Sequence, residues 1–254
     1  MNHVISWSGG KDSTATIILM REHQEEILKK GDTVTILFSE VMFDLKNNIS
    51  GHNPDIIAFI YRAKEVFERW GFDVEILRAD KDYLDIFYHR LSRSIDPERI
   101  GLTYGFVLSR LCAVKRDLKI KPINRWLRQH PGEMTHYIGI AADEPRRLRV
   151  LENQGFVSLL AKYGMTENDA MELCRAYDLL SPQYSLEGQT RDGCWFCPNA
   201  KLCEHRVIKE RYPKVWEKYV SLEKEPDLAF PKWSVFAKET LHERDARVNL
   251  LGHK

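Results

Sequence analysis

The decapeptide Val4-Ile5-Ser6-Trp7-Ser8-Gly9-Gly10-Lys11-Asp12-Ser13 decides the fold, because it joins an apolar run to a helical pattern through two glycines. Residues 4–7 predict a short strand, and residues 13–30 predict the helix that follows it. Glycines let the backbone turn tightly and approach an anion closely. The unpaired N–H groups and the positive dipole end at the start of a helix favour phosphate. We therefore predict a phosphate-binding loop at residues 8–13.

The polar side chains of this phosphate loop agree with that prediction. Ser8 and Ser13 add hydroxyl donors, Lys11 adds a positive charge, and Asp12 is a candidate ligand for Mg²⁺. The spacing differs from that of a Walker loop, which needs four residues between its first glycine and its Gly-Lys pair. The plain alternative is a glycine turn with a Ser or Asp helix cap. This alternative would be the better explanation of an isolated Gly-Gly pair. It does not explain six matching residues at one strand–helix junction.

Working outward, the first 140 residues alternate between apolar runs and helical patterns. Further strands are predicted at residues 33–38, 74–77 and 136–141, and a second helix at residues 54–70. Strands separated by helical crossovers predict an α/β fold, with a Rossmann-like parallel sheet and helices on both faces. Ligands of such sheets bind at the carboxyl ends of the strands, so we expect the loops after Trp7, Phe38 and Ala141 to gather there.

The pattern changes after about residue 155. A capped helix is predicted at residues 166–177, then a loop rich in Pro, Gly and Ser, a cysteine cluster, and a helical stretch at residues 204–225. No strong strand pattern occurs in this part. We expect two domains, an α/β domain at residues 1–155 that binds the nucleotide and a small helical C-terminal unit at residues 156–254 that carries the cysteines.

Composition excludes several classes of protein. The chain has 254 residues, 43% of them hydrophobic, and a formal net charge of +1, which argues against disorder and against a general nucleic-acid coat. No apolar run approaches a membrane span, and the N-terminus does not resemble an export signal, so we expect a cytoplasmic protein with no membrane partner. Its five cysteines would then be free, catalytic or metal-bound.

Three of these cysteines are closely spaced. Cys194, Cys197 and Cys203 lie within ten residues, a spacing suited to zinc or to an iron–sulfur cluster. A fourth ligand is needed, and the candidates are Cys112, Cys174 and, less directly, His205. Cys174 lies among apolar residues of a predicted helix, where a small buried core residue is the expected role.

Two basic segments are candidate binding surfaces. Residues 110–128 contain seven basic side chains and one acidic side chain, and Arg146 and Arg147 follow directly after a predicted strand. Guanidinium groups suit phosphate and other planar or anionic oxygens. The plain alternative is a solvated helix face. A nucleotide, a sulfonucleotide and a nucleic-acid backbone all remain open as partners.

Residues 8–13 resemble the SGGxDS signature of the PP-loop ATP pyrophosphatases, which cleave ATP between its α and β phosphates. Other stretches resemble one branch of these enzymes, the phosphoadenosine phosphosulfate (PAPS) reductase-like family. They are Cys112-Ala-Val-Lys115, Gly139-Ile-Ala-Ala-Asp143-Glu144-Pro-Arg146-Arg147 and Gly193-Cys194-Trp-Phe-Cys197-Pro198. The resemblance covers most of the chain in the expected order.

The resemblance implies a role for each matching position. The ligands of the pyrophosphate group and Mg²⁺ would be Ser8, Gly9, Gly10, Lys11, Asp12 and Ser13, of which Lys11, Asp12 and Ser13 would be catalytic. Ser39 and Glu40 fall where the family contacts nucleotide or metal, and Lys115, Arg146 and Arg147 would bind the substrate. A four-iron four-sulfur cluster would be held by Cys112, Cys194, Cys197 and Cys203, with zinc as the alternative. One departure is that Ala113 follows Cys112, where family members with a cluster carry a Cys-Cys pair.

These expectations favour an enzyme that splits ATP to AMP and pyrophosphate and adenylates an acceptor for sulfur transfer, as in DNA phosphorothioation. The acceptor is open, with a nucleic acid and a sulfur-donor protein as compatible partners, and the sequence is compatible with a homo-oligomer. One alternative is a sulfonucleotide reductase, but residues 204–254 contain no cysteine to act as its nucleophile. The other is a non-catalytic module that binds nucleotide or nucleic acid and has a structural metal cluster.

Overall fold

The computed structural model describes residues 1–107, 112–187, 189, 193–234 and 237–250. The strands are β1 (Asn2–Trp7), β2 (Thr33–Ser39), β3 (Met42–Asp44), β4 (Ile49–Ser50), β5 (Asp73–Leu77), β6 (Thr103–Gly105), β7 (Met134–Ile138) and β8 (Leu228–Phe230). The helices are α1 (Lys11–Glu22), α2 (Gln24–Ile27), α3 (Pro54–Arg69), α4 (Tyr83–Phe87), α5 (Lys121–Gln129), α6 (Pro145–Asn153), α7 (Leu159–Lys162), α8 (Glu167–Ala176), α9 (Leu202–Arg211), α10 (Pro213–Ser221) and α11 (Leu241–Leu250). A π-helical segment, Lys115–Ile120, runs directly into α5.

Four parallel strands form the central sheet, in the order β5-β2-β1-β7. In β1, Val4 lies opposite Thr35 of β2 and His136 of β7, and Ile36 of β2 lies opposite Val74 of β5. Each of these strands was expected from the sequence, but β7 ends at Ile138 and not at Ala141, where the sequence analysis placed its end. The predicted α/β fold with a parallel sheet is confirmed.

Helices cover both faces of this sheet, because successive side chains of a strand point to opposite sides. Ile5 and Ile36 belong to a buried cluster with residues of α1, α3 and α8. Their neighbours Val4 and Leu37 pack on the other side with Trp126 of α5. Both faces are therefore apolar, as expected for parallel strands between helical layers.

The first helix is shorter than the sequence suggested. It ends at Glu22, where His23 leaves helical geometry with φ −107° and ψ 21°, and the single turn α2 follows. Residues 15, 17, 18, 19 and 20 of α1 are buried, whereas no residue of α2 is buried. The helix therefore continues only as far as its apolar face has a sheet to pack on.

The chain divides into two compact units. The first unit comprises residues 1–39, 54–77 and 123–185, and the second comprises residues 40–53, 78–122 and 186–254. Helix α8, which the sequence analysis placed in the C-terminal unit, belongs to the first unit and packs on α1. These units interleave along the chain, unlike the continuous domains 1–155 and 156–254, and that division stays a prediction.

The second unit has a core of its own, built largely from aromatic rings. Tyr83 and Phe196 lie 4.2 Å apart between ring centroids, and Phe43 and Trp195 lie 4.6 Å apart. It also contains β8, which pairs in parallel with β6 in a region where we expected no strand. A strand of three residues is too short to show an alternating pattern. No helix in the described part of the chain is both long enough and apolar enough to span a bilayer.

Candidate functional site

The predicted phosphate loop lies between β1 and α1, at the carboxyl end of a central strand. Gly9 has φ +85°, a left-handed conformation that side chains with a Cβ rarely adopt. Gly10 is the N-cap of α1. Because glycine has no side chain, it does not cap the N–H groups of the first helical turn, which face the loop. Strand, glycine turn and helix therefore follow in the order that an anion-binding loop requires.

The two serines hold the loop together from inside. The Ser13 hydroxyl donates to the Gly10 carbonyl at 3.0 Å and accepts from the Ser8 amide at 3.2 Å. The Ser8 and Ser13 hydroxyl oxygens lie 3.1 Å apart, and the Gly10 amide donates to the Ser8 hydroxyl at 3.3 Å. Both hydroxyls thus sit at the loop, where each can turn toward a bound oxygen.

A third glycine lets the neighbouring strand pass the loop. Gly139 follows β7, and a Cβ added there would lie 2.4 Å from the carbonyl carbon of Asp12 and 2.5 Å from the amide nitrogen of Ser13. These are backbone atoms, which cannot swing away as a side chain can. The glycine of the motif at residues 139–147 is therefore required by close approach to the phosphate loop.

Lys11 is held by carboxylates rather than pointing freely into the loop. Its ammonium donates to both oxygens of Asp12, at 2.9 and 3.0 Å, and to Glu167 Oε2 at 3.0 Å. Burial alone would lower the pKa of Lys11, but the hydrogen bonds to Asp12 and Glu167 outweigh it and raise that pKa. Burial also raises the pKa of Asp12, and the charges of Glu167 and Glu144 add to this effect.

Glu167 is a site residue that the sequence analysis missed. It is the first residue of α8, directly after the Thr166 cap, and its amide donates to Asp143 at 3.2 Å. The capping pattern predicted the start of the helix, but nothing local to it signals a partner at Lys11. Asp143 belongs to the motif at residues 139–147, so this motif anchors the backbone that presents Glu167.

The turn after α8 also reaches the loop. The Lys11 amide donates to the Tyr184 hydroxyl at 3.0 Å, and a Cβ added at Gly10 would lie 3.7 Å from that hydroxyl and 3.9 Å from the amide nitrogen of Gln183. Gln183 is only 6% exposed, and its side-chain oxygen has no hydrogen-bond partner among the described residues. Sequence reasoning gave this segment only as a loop.

Cys174 lies beneath the same loop as a core residue. It is fully buried in the first unit, and its thiol donates to the Lys11 carbonyl at 3.3 Å. Burial raises the pKa of this thiol to about 12, so it stays protonated at neutral pH. The expectation that Cys174 is a buried core residue is confirmed.

The two predicted nucleotide contacts at the end of β2, Ser39 and Glu40, belong to different units. Ser39 ends β2 and is buried, in the first unit. Glu40 is buried in the second unit, and its carboxylate accepts from the Arg78 guanidinium at 2.7 and 2.9 Å. The charge of Glu40 is therefore matched by an arginine within its own unit.

The basic residues differ in how far their charge is already paired. Arg146 and Arg147 are exposed on α6 in the first unit, and Arg147 pairs with Glu144 at 2.5 Å. Lys115 is exposed in the second unit, and its amide lies 3.4 Å from the Cys112 sulfur. The structure thus places Arg146 and Arg147 in the same unit as the phosphate loop and Lys115 in the other. Residue 110 of the basic segment lies outside the described residues.

Part of the basic segment surrounds one buried acid. Asp117 in the π-helical segment is 4% exposed and accepts from Arg116, Lys121 and Lys81 at 2.7, 2.7 and 3.2 Å. Hydrogen bonds from Arg116, Lys121 and Lys81 hold the pKa of Asp117 well below its usual range. These three cations already pair with Asp117, so fewer positive charges of this segment remain for an anionic ligand.

All four predicted cluster cysteines lie in the second unit. Cys112 and Cys194 pack against the same apolar core, the Cys197 amide donates to the Cys194 carbonyl at 2.9 Å, and Cys203 lies in the first turn of α9. Within the described ranges, however, no three Cys, His, Asp or Glu side chains are grouped so as to hold a metal ion. The donor chemistry suits an iron–sulfur cluster, but this arrangement does not gather the four thiols into a metal centre.

Comparison of the sequence with protein-family models and with curated proteins gives no significant match. Among the solved structures that match this chain are two with known activities. One is the PAPS reductase from Candida auris in complex with phosphate, with a TM-score of 0.48 and 11% identity over 77% of this chain and 82% of that chain. The other is the U34-tRNA thiolase NcsA from Methanococcus maripaludis with its [4Fe-4S] cluster, with a TM-score of 0.44 and 13% identity over 98% of this chain and 72% of that chain.

Proposed function

We propose that the chain is a PP-loop ATP pyrophosphatase, which cleaves ATP between its α and β phosphates. The observation that carries this proposal is the loop at residues 8–13. A left-handed Gly9 at the end of a central parallel strand leads into α1, with two serine hydroxyls and Lys11 at the turn. Helix amides, hydroxyls and an ammonium together form a site for a polyphosphate chain.

The reaction would be an adenylyl transfer. A nucleophilic oxygen of the acceptor forms a bond to the α-phosphorus, while the bond from that phosphorus to the bridging oxygen breaks and its electrons leave with pyrophosphate. Catalysis by these residues is positioning and charge stabilisation, and no protein nucleophile is needed. The loop amides and Lys11 would hold the leaving pyrophosphate.

Asp12 is the residue that would hold Mg²⁺. Magnesium is bound in such sites by one or two carboxylates together with substrate phosphates, so a single carboxylate beside the loop suffices. Its side chain lies at the first turn of α1, and Glu144 and Glu167 add negative charge nearby. When bound, the ion would neutralise charge on the phosphate oxygens.

We further infer that adenylation prepares the acceptor for sulfur transfer, because AMP is a leaving group that sulfur can displace. Two features support this. Four cysteines lie in one unit and offer the thiol donors that an iron–sulfur cluster uses, with zinc as the alternative, although the described residues do not gather them into a metal centre. Exposed Arg146 suits an anionic acceptor such as a nucleic acid, and a sulfur-donor protein would supply the sulfur.

Pyrophosphate release from ATP and Mg²⁺, with candidate acceptors present, tests the proposal. Asp12→Ala should lower the rate of release at least about a hundredfold, because it removes the predicted metal ligand. The matched control is Asp73→Ala, which removes an exposed aspartate at the start of β5 and should leave the rate unchanged. Equal rates in both variants and in the wild type would contradict the assigned site.

A further inference from the structure

The ammonium of Lys11 has no spare donor in this structure. An ammonium carries three N–H groups, and Lys11 makes three hydrogen bonds to carboxylate oxygens, two of Asp12 and one of Glu167. Its side chain is 11% exposed, so water does not readily replace a lost partner. A phosphate oxygen can therefore reach this ammonium only by taking the place of a carboxylate.

Glu167 is the carboxylate that can leave at the lower cost. Its side chain is 50% exposed, whereas that of Asp12 is 23% exposed and lies next to Lys11 in the chain. A carboxylate that turns into water regains its hydration, which the more buried one does less readily. The exchange of Glu167 for a phosphate oxygen keeps the Lys11 charge paired throughout.

A second side chain of the protein also bonds to Lys11, this time at its backbone amide. The Tyr184 hydroxyl accepts from the Lys11 amide, one of the N–H groups at the start of α1 that an anion would use. Beside it, the buried side-chain oxygen of Gln183 lacks a partner in the described part of the chain, as does the buried Ser181 hydroxyl. Buried polar atoms without partners are rare in native proteins, and they indicate that a ligand or water belongs at this turn.

We propose that Glu167 is a positioning residue of the phosphate site, which holds the Lys11 ammonium until a phosphate group displaces it. This rests on one part of the proposed function, namely that the loop binds the pyrophosphate moiety. Glu167 then sets the affinity for the pyrophosphate moiety, because each binding event must first break its bond to Lys11. Asp143 fixes the Glu167 backbone, so the side chain can swing out while its anchor stays in place.

The test is the affinity for inorganic pyrophosphate in buffer with EDTA, measured by calorimetry. Glu167→Gln removes the competing charge, and it should tighten binding about fivefold, the strength of a partly exposed ion pair. Glu172→Gln is the matched control, since Glu172 is on the same helix, is 57% exposed and pairs with Arg175. It should not change the affinity. Melting curves should verify that both variants fold.

A second set of variants, made in a Lys11→Met chain, separates competition for the Lys11 ammonium from a general effect of removing one negative charge. In a Lys11→Met chain, the Glu167→Gln change should no longer alter pyrophosphate affinity, because the competition acts through the ammonium. Unchanged or weaker binding by Glu167→Gln alone, or the same gain from Glu172→Gln, would overturn the inference. Pyrophosphate binding that tightens as expected in a protein that never cleaves ATP would refute the proposed function and leave this inference standing.

Discussion

Gly139 shows how one residue can be fixed by a distant part of the chain. A Cβ at this position would lie within 2.6 Å of three backbone atoms of Asp12 and Ser13. Real Cβ atoms do not approach backbone so closely, so the loop or the end of β7 would have to move. The phosphate loop therefore depends on a glycine more than a hundred residues away.

We predict that Gly139→Ala lowers the free energy of unfolding by about 1–3 kcal/mol through overpacking and weakens pyrophosphate binding at least about tenfold. Gly31→Ala is the control, because Gly31 has φ +92° and nothing within 4 Å of an added Cβ. It should destabilise the chain through backbone strain and leave binding unchanged. Denaturant unfolding and calorimetry measure both quantities, and intact binding in Gly139→Ala would contradict the close-approach explanation.

Two cysteines have opposite expected roles. Cys174 is buried in the first unit with a thiol pKa of about 12, whereas Cys112 is partly exposed in the second unit with Cys194, Cys197 and Cys203. We predict that anaerobically purified protein holds about four irons per chain. Cys112→Ser should lose most of this iron, while Cys174→Ser should keep it.

Iron and sulfide analysis of the purified variants measures this difference. One zinc and no sulfide in the anaerobic protein would refute the cluster. Loss of metal in Cys174→Ser with retention in Cys112→Ser would show that the fourth ligand was chosen wrongly. Because metal binding is coupled to folding, loss of a ligand should destabilise the second unit more than the central sheet.

Among the secondary-structure elements, α8 connects most of the features of the site. Its Thr166–Asp169 capping box fixes its start, Glu167 holds Lys11, and Cys174 packs under the loop. The sequence predicts this helix and its cap because both are local patterns. The bonds from Glu167 and Tyr184 to Lys11 join residues 156 and 173 positions apart, and no local pattern encodes them.

The strands of the central sheet, in contrast to these long-range bonds, were predictable from local sequence. The central strands β1 and β2 are apolar runs that are almost wholly buried, so their composition reveals them, whereas the edge strands β5 and β7 are only partly buried and keep a weaker apolar pattern. The break at His23 and the short strand β8 depend instead on what packs against them. Tertiary contacts decide both, and they leave little trace in the sequence.

The π-helical segment offers a test of charge at the scale of an element. Asp117 has its pKa lowered by Arg116, Lys121 and Lys81, so its contribution to stability is present above the unfolded-state pKa of about 3.9. It is lost as the pH falls through the lower pKa of the folded state. We predict that Asp117→Asn lowers the free energy of unfolding at pH 7 by about 1–2 kcal/mol.

Urea unfolding of Asp117→Asn and wild type, measured across pH, checks this prediction. The difference between the two proteins should stay constant down to about pH 4 and shrink at lower pH. Asp73→Asn, which removes an exposed carboxylate at the start of β5, is the control and should show little change at any pH. A difference independent of pH would mean that Asp117 acts through packing instead of charge.

On the scale of the whole molecule, the two units have separate cores and separate sets of candidate residues. The first unit holds the phosphate loop, Glu167, Tyr184 and the exposed arginines of α6. The second unit holds the four cysteines and the cations around Asp117. The candidate phosphate-binding residues and the candidate metal-binding residues therefore belong to units with separate cores.

The central claim is the position at which ATP is cut, and the fate of a labelled phosphorus tests it most directly. The protein is incubated with Mg²⁺, candidate acceptors and ATP labelled at either the α or the γ phosphorus, and the products are separated by chromatography. The proposed function predicts the α label in AMP or in an adenylated acceptor, and the γ label in pyrophosphate. The α label in ADP, with the γ label in orthophosphate, would contradict it.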